Sequence, residues 1–215
     1  QKHKKPVSYG RFFYFYVQSF QPIPMEEQLH QDKTFEKITQ PNQAMTGREF
    51  EDCVFKNCDF SSGDFSNNRF TDCEFVGCNL ALLKLNGCTL NGVTFKECKL
   101  TGIDFSVCEE FLFTVRFEHC LMDYTSFLQR KMPKTHFVDS SLKNAIFEQA
   151  NLTKAKFDNT NLEGAVFERT NLNEADMVTA YNYIIDPELN NIKKAKFSQH
   201  GLAGLLTRYD IRVKV

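Results

Sequence analysis

Tryptophan is absent from the sequence, and so is any excess of charge: 26 Lys and Arg face 27 Asp and Glu, a formal net charge of −1. Without a whole-molecule field of either sign, long-range attraction to nucleic acid or to an anionic membrane is excluded. No apolar run is long enough for a transmembrane helix. Also missing are a nucleophile elbow, an HExxH pair, a P-loop and a dinucleotide-binding glycine pattern. The cysteines do not form the converging CxxC pairs of a zinc site. These absences leave no catalytic residue, no cofactor and no metal ligand to assign. What is present in excess is phenylalanine, 22 residues of 215, together with eight cysteines.

Their placement is periodic. From Phe50 an apolar residue returns at every fifth position: Phe50, Phe55, Phe60, Phe65, Phe70, Phe75, Leu80, Leu85, Leu90, Phe95, Leu100 and Phe105. After a two-residue slip the series resumes at Leu112 and continues through Phe117, Met122, Phe127, Met132, Phe137, Leu142, Phe147, Leu152, Phe157, Leu162, Phe167, Leu172 and Met177. Two residues before each anchor sits a second, usually small residue, such as Cys53, Cys58, Gly63, Ala145, Ala155 or Thr160. The unit is small-x-large-x-x.

A helix turns by about 100° per residue, so a five-residue period would scatter the large residues around its circumference. In a strand, positions two apart share a face, which suits the small and large members of one unit, but positions five apart do not. The chain must therefore turn a corner in every unit. Short extended sides separated by corners close into a coil, and successive coils stack with the anchors filling the interior in layers.

The run from Ala150 to Ala165, ANLTKAKFDNTNLEGA, resembles the A(D/N)LXX signature of the pentapeptide-repeat family. The resemblance implies an all-β fold, a right-handed quadrilateral β-helix, with the phenylalanine anchors as its structural core. At four units per turn, the 26 units between Phe50 and Met177 give about 6.5 turns and a rod roughly 31 Å long.

All eight cysteines, Cys53, Cys58, Cys73, Cys78, Cys88, Cys98, Cys108 and Cys120, occupy the small inward slot. Cys58, Cys78 and Cys98 stack within the range a disulfide tolerates, but their side chains run parallel. They read as reduced core residues that act as small hydrophobes, which suits a reducing, cytoplasmic location. Two interruptions are expected. Between residues 106 and 116, Glu110 stands where the first series would place an anchor, and a carboxylate does not fill an interior place cheaply, so the backbone should bulge. Between 129 and 134, Arg130 falls in a small slot and Pro133 follows the anchor Met132, so a second break is expected there.

The ends differ from the body. Residues 1–25, with a basic stretch from Lys2 to Lys5 before the aromatic run Phe12 to Val17, lack an A-x-A-like cleavage site and read as a disordered leader, with Met25 a candidate start. Residues 26–44 are expected to form an N-terminal cap through Leu29, Phe35 and Ile38. The coil body spans 45–197, with Ala195 and Phe197 restoring the small-x-large pair. Residues 198–215 form a C-terminal helix and tail, in which Ser198 caps the helix and Leu202, Leu205, Leu206 and Tyr209 follow helical spacing. Solenoid ends must be covered. Quinolone-resistance members of the family join end to end through a similar helix, so the resemblance implies those four residues as the contact of a homodimer.

A solenoid filled by its own side chains offers no substrate cleft, and His119 and His136 read as solvated residues. Function then lies on the outer faces. The sequence points to a non-enzymatic scaffold that binds a protein partner, without direct contact to nucleic acid or membrane. The alternative implied by the resemblance is a DNA-mimicking rod that binds DNA gyrase or topoisomerase IV and confers quinolone protection. For that role an acidic surface is required. Residues 45–180 hold 20 acidic and 14 basic residues, with lysines such as Lys84, Lys96, Lys143 and Lys154 interspersed among the carboxylates.

Overall fold

In the computed structural model, which describes residues 28–211, the five-residue unit acquires its corner from a left-handed residue two places after most anchors. Asp52, Asn67 and Asp72 take φ values of 51°, 60° and 50° there, and Gly77 and Gly92 take 63° and 68°. Asn, Asp and Gly enter this region at least cost. Leu82 at 58° enters it without that advantage, and so does Leu112 at 62°, which thus stands at a corner and not in the anchor place the five-residue count gives it.

Four corners close one turn of the coil, and the turns stack as a parallel ladder in a register of twenty residues. On the first side, β1 (Leu29–Gln31), β3 (Glu49–Glu51), β5 (Arg69–Thr71) and β7 (Thr89–Asn91) pair in that order. On the second side the order is β2 (Thr34–Glu36), β4 (Val54–Lys56), β6 (Glu74–Val76), β8 (Val93–Lys96), β9 (Val115–Glu118), β10 (His136–Val138), β11 (Lys156–Asp158), β12 (Asp176–Met177) and β13 (Lys196–Phe197). Sides three and four are held by single parallel bridges such as Asp59↔Asn79 and Asp64↔Lys84. The result is a four-sided parallel β-solenoid of about 8 turns with one short C-terminal helix.

The interior is a set of aromatic columns. Phe105, Phe127, Phe147 and Phe167 stack with centroids 4.9, 5.3 and 5.1 Å apart. The parallel column Phe117, Phe137, Phe157 has spacings of 5.4 and 4.8 Å. Rings of neighbouring columns meet edge to face, as between Phe137 and Phe147, which satisfies the ring quadrupoles in both directions. The solenoid rise thus matches a comfortable stacking distance.

Three expectations are corrected. Residues 28–44 are no separate cap but the first turn of the coil itself: His30 pairs with Phe50 and Phe35 with Phe55, and His30, Phe35, Ile38 and Met45 are buried while Leu29 points outward. This turn adds to the length, giving about 8 turns where about 6.5 were expected. At the slip, the register lengthens from twenty to twenty-two residues, as in Phe95↔Phe117, yet the buried residue is Phe113 and Leu112 is 47 % exposed. The chain around 129–134 does not break. Lys131 bridges Asn151, and the amides of Met132 and Lys134 donate to Asn151 and Thr153 at 2.9 and 2.8 Å. The leader assigned to residues 1–25 and the end of the tail, 212–215, lie outside the described residues.

At the far end, Ser198 accepts a hydrogen bond from the Gly201 amide and starts a 3-10 turn, Gln199–Gly201, which leads into α1 (Ala203–Leu206) and a second 3-10 turn, Thr207–Tyr209. This segment lies against Tyr183. Only glycine fits at 204, where a Cβ would stand 2.1 Å from the Tyr183 carbonyl oxygen. The Ile185 amide donates to the Gly204 carbonyl at 3.0 Å, Arg208 reaches Asp186 at 2.8 Å, and the Tyr209 hydroxyl donates to Glu188 at 2.9 Å.

Candidate interaction surface

The inner slots are chemically closed. All fourteen phenylalanine anchors named above, from Phe50 to Phe167, are buried. The eight cysteines are free, buried thiols. The thiols of Cys58, Cys78, Cys98 and Cys120 stand in one column, each donating to the carbonyl of an anchor in the preceding turn, such as Cys78 to Phe55 at 3.3 Å. Thr160 continues that column with its hydroxyl donating to Phe137. Burial pushes the thiols of Cys73 and Cys88 up to about 12 and that of Cys120 up to about 11. At neutral pH these groups are protonated and shielded, which leaves them neither nucleophiles nor ligands. Among the described residues no group of three or more His, Cys, Asp or Glu is placed to hold a metal ion.

The one buried cation that interrupts the slots among the later turns is Arg130. Its guanidinium donates to the carbonyls of Cys108 at 2.8 Å and Glu109 at 2.6 Å and lies over the Phe113 ring. Burial lowers its pKa. The arginine that was expected to break the coil instead ties down the foot of the bulge in the turn before it. Above that foot, Phe111 is 78 % exposed. A depression of about 390 Å³ runs beside it along the corner between sides four and one, lined by Gly47, Glu49, Asn67, Arg69, Thr89 and Phe111. The glycine corners form its floor and the bulge its overhang.

On the remaining outer faces, cations and carboxylates of neighbouring turns meet. Lys96 pairs with Glu74 at 2.5 Å, Lys143 with Glu163 at 2.9 Å, Lys154 with Glu174 at 3.5 Å and Lys196 with Asp176 at 3.4 Å. His119 faces Asp139 at 3.7 Å, and His136 lies between Arg116 and Lys156 in the ladder. Partial burial, then the two cations, lower the His136 pKa. Side four carries a different pattern: Ile146 and Val166 pair across adjacent turns and stay exposed, with Tyr124 exposed at the corner beside them. Of the four C-terminal residues expected to form one contact, Leu202 and Tyr209 are exposed, Leu206 is half-buried and Leu205 is buried against the rod. The mixed 3-10 and α winding turns Leu205 inward against the rod.

Fold and surface together define a parallel β-solenoid whose described interior is packed with its own side chains. Residues 48–127 match the description "Pentapeptide repeat region" and residues 145–180 match "Pentapeptide repeats (8 copies)"; the chain belongs to the pentapeptide-repeat family. Among solved structures it is similar to full-length QnrB1, a plasmid-mediated fluoroquinolone resistance protein, with 16% identity, a TM-score of 0.55, and coverage of 83% of this chain and 100% of that one. It is also similar to HetL, a pentapeptide repeat protein involved in heterocyst differentiation regulation from the cyanobacterium Nostoc sp. strain PCC 7120, with 16% identity, a TM-score of 0.53, and coverage of 82% and 91%. At such identities the likeness is one of fold. No curated protein sequence matches the chain. No helix among the described residues is long and apolar enough to cross a membrane.

Proposed function

We propose that the protein is a non-enzymatic scaffold that holds a protein partner along the sides of its rod. The observation that supports this reading is the contrast between a filled interior and an exterior that keeps Tyr124, Ile146 and Val166 exposed within three successive turns. A ladder of backbone hydrogen bonds fixes these side chains in place, so a partner that covers them loses little conformational freedom of the rod. The test is affinity capture with the full chain and with an Ile146→Asp, Val166→Asp variant of unchanged melting temperature. A protein retained by the first and lost from the second, and then shown by calorimetry to bind in purified form, supports the reading. Equal retention of every captured protein refutes it.

The likeness to QnrB1 motivates a second reading, in which the rod occupies the DNA site of a type II topoisomerase. Its surface gives that reading less support, because the carboxylates Glu74, Glu163, Glu174 and Asp176 are paired with lysines of adjacent turns. Supercoiling by purified gyrase, with and without a fluoroquinolone, is expected to be unchanged across a titration of the protein. Protection or inhibition at micromolar levels would establish the topoisomerase reading in its place.

A further inference from the structure

Side one is divided by the bulge into two halves of opposite charge. Before it, the outward positions of this side and of the corner that follows carry Asp32, Glu49, Glu51, Asp52 and Asp72 against Arg69. After it, the same positions carry Lys131, Lys134, Lys154, Lys193 and Lys194 against Glu174. Eleven of these twelve side chains stand on exposed residues, and four rungs of side one lie on each side of the bulge: those anchored at His30, Phe50, Phe70 and Leu90, and those anchored at Met132, Leu152, Leu172 and Ile192. At the centre stand the exposed Phe111 and Leu112, with Glu109 and Glu110 exposed beside them and Glu110 paired with Lys131.

We propose that side one is a self-complementary surface through which two copies of this chain pair side by side and antiparallel, with the two-fold axis running through the bulge. A two-fold contact requires one patch to carry both halves of the interaction. Here a rotation about an axis across the rod at the bulge brings each acidic half onto the basic half of the other copy. Counting turns outward from the bulge, the corner residue Asp72 faces Lys154 of the second copy, both being two turns from the axis, and Asp32 faces Lys194, both being four turns away; Asp52 and Glu174, both three turns away, are the one like-signed meeting among these corners. Gly92 faces Lys134 and leaves space for it. At the axis the two Phe111 and Leu112 pairs bury each other, and the depression beside Phe111 lets the rings seat without collision. A partner of a single charge sign would be repelled by one half of this face, and this is why a second copy fits it better than a nucleic acid or a uniformly acidic protein.

The pairing is electrostatic at its flanks, so it weakens as salt screens them. The full chain in sedimentation equilibrium at low ionic strength is expected to form a dimer whose dissociation constant rises with added salt. Asp72→Lys alone and Lys154→Asp alone each raise that constant by about tenfold, since the two-fold axis makes every change twice. Asp72→Lys combined with Lys154→Asp restores it, because each reversed residue then faces the other. Phe111→Asp abolishes the dimer, and Leu202→Asp leaves it intact. A monomer at tens of micromolar protein in low salt overturns the proposal. So does a double variant as impaired as the single ones, or a dimer that is lost with Leu202→Asp and unmoved by Phe111→Asp, which would place the contact at the end of the rod. Because these readouts use only this chain, they stand or fall separately from the search for a scaffold partner.

Discussion

The guanidinium carbon of Arg130 lies 4.3 Å from the centroid of the Phe113 ring, and the two residues come from successive turns of the coil. The ring fills the interior place that the five-residue count gives to Leu112, and the cation bonds the two carbonyls that the bulge would otherwise strand. Arg130→Ala removes a cation–π contact and leaves two buried acceptors unpaired, and is expected to cost about 2–4 kcal/mol in urea unfolding. Arg130→Lys is expected to recover little of this, since a single ammonium cannot span both carbonyls and cover the ring. Hydrogen exchange across 108–114 should quicken in both variants. Unchanged exchange would show that the bulge holds itself.

Phe137 touches rings above and below it at 5.4 and 4.8 Å and is fully buried. Its neighbours belong to rigid turns that cannot collapse into the space it leaves. Phe137→Ala is expected to cost about 3–5 kcal/mol by chemical denaturation, and the same holds for Phe147→Ala and Phe157→Ala. A variant that melts with the parent would place these rings outside the packed core.

The cysteines give stability a dependence on pH in the alkaline range. In the unfolded chain a thiol ionises near 9, whereas Cys73 and Cys88 do so in the fold only near 12 because burial penalises the thiolate. The unfolded state therefore loses protons first. The contribution of these groups is fully present below about pH 9 and is lost as pH rises towards 12. Unfolding free energy is expected to be flat from pH 6 to 8 and to fall above 9, less steeply in Cys73→Ala, Cys88→Ala. The native thiols should also resist iodoacetamide at pH 8 and react fully in guanidinium.

Gly204 is the position where the C-terminal helix touches the rod through its backbone. A methyl group there meets the Tyr183 carbonyl, which belongs to the main chain and cannot swing aside. Gly204→Ala is expected to lift the segment 199–209 and expose Tyr183 and Leu205, read as faster proteolysis after the last turn while the coil body keeps its melting temperature. A cap that stays protected would mean that the end of the rod can deform by more than 1 Å.

Much of this fold was legible in the sequence because a five-residue period has only one geometric solution, extended sides with a corner in every unit. The inward places of Phe50 through Phe167 and of all eight cysteines follow from that period alone. The number of sides came from likeness to known repeats. Where the repeat is imperfect, counting failed. His30 stands in an anchor place but is polar, with Lys33 in the following slot, so residues 26–44 read as a cap, whereas the pairing of 28–44 with the second turn makes them the first. Arg130 read as a breaker because a charge in a small slot is costly, yet the cost is offset by carbonyls that only the neighbouring turn supplies.

The sequence by itself determined which residues face inward wherever the period is intact, since that depends on local backbone geometry within one unit. Only the tertiary structure decided that Phe113 fills the core and Leu112 does not, that Leu205 packs inward while Leu202 stays outside, and that the charges of side one separate into an acidic and a basic half. Each of these depends on contacts between residues about twenty positions apart, and a five-residue pattern carries no information on what the next turn offers.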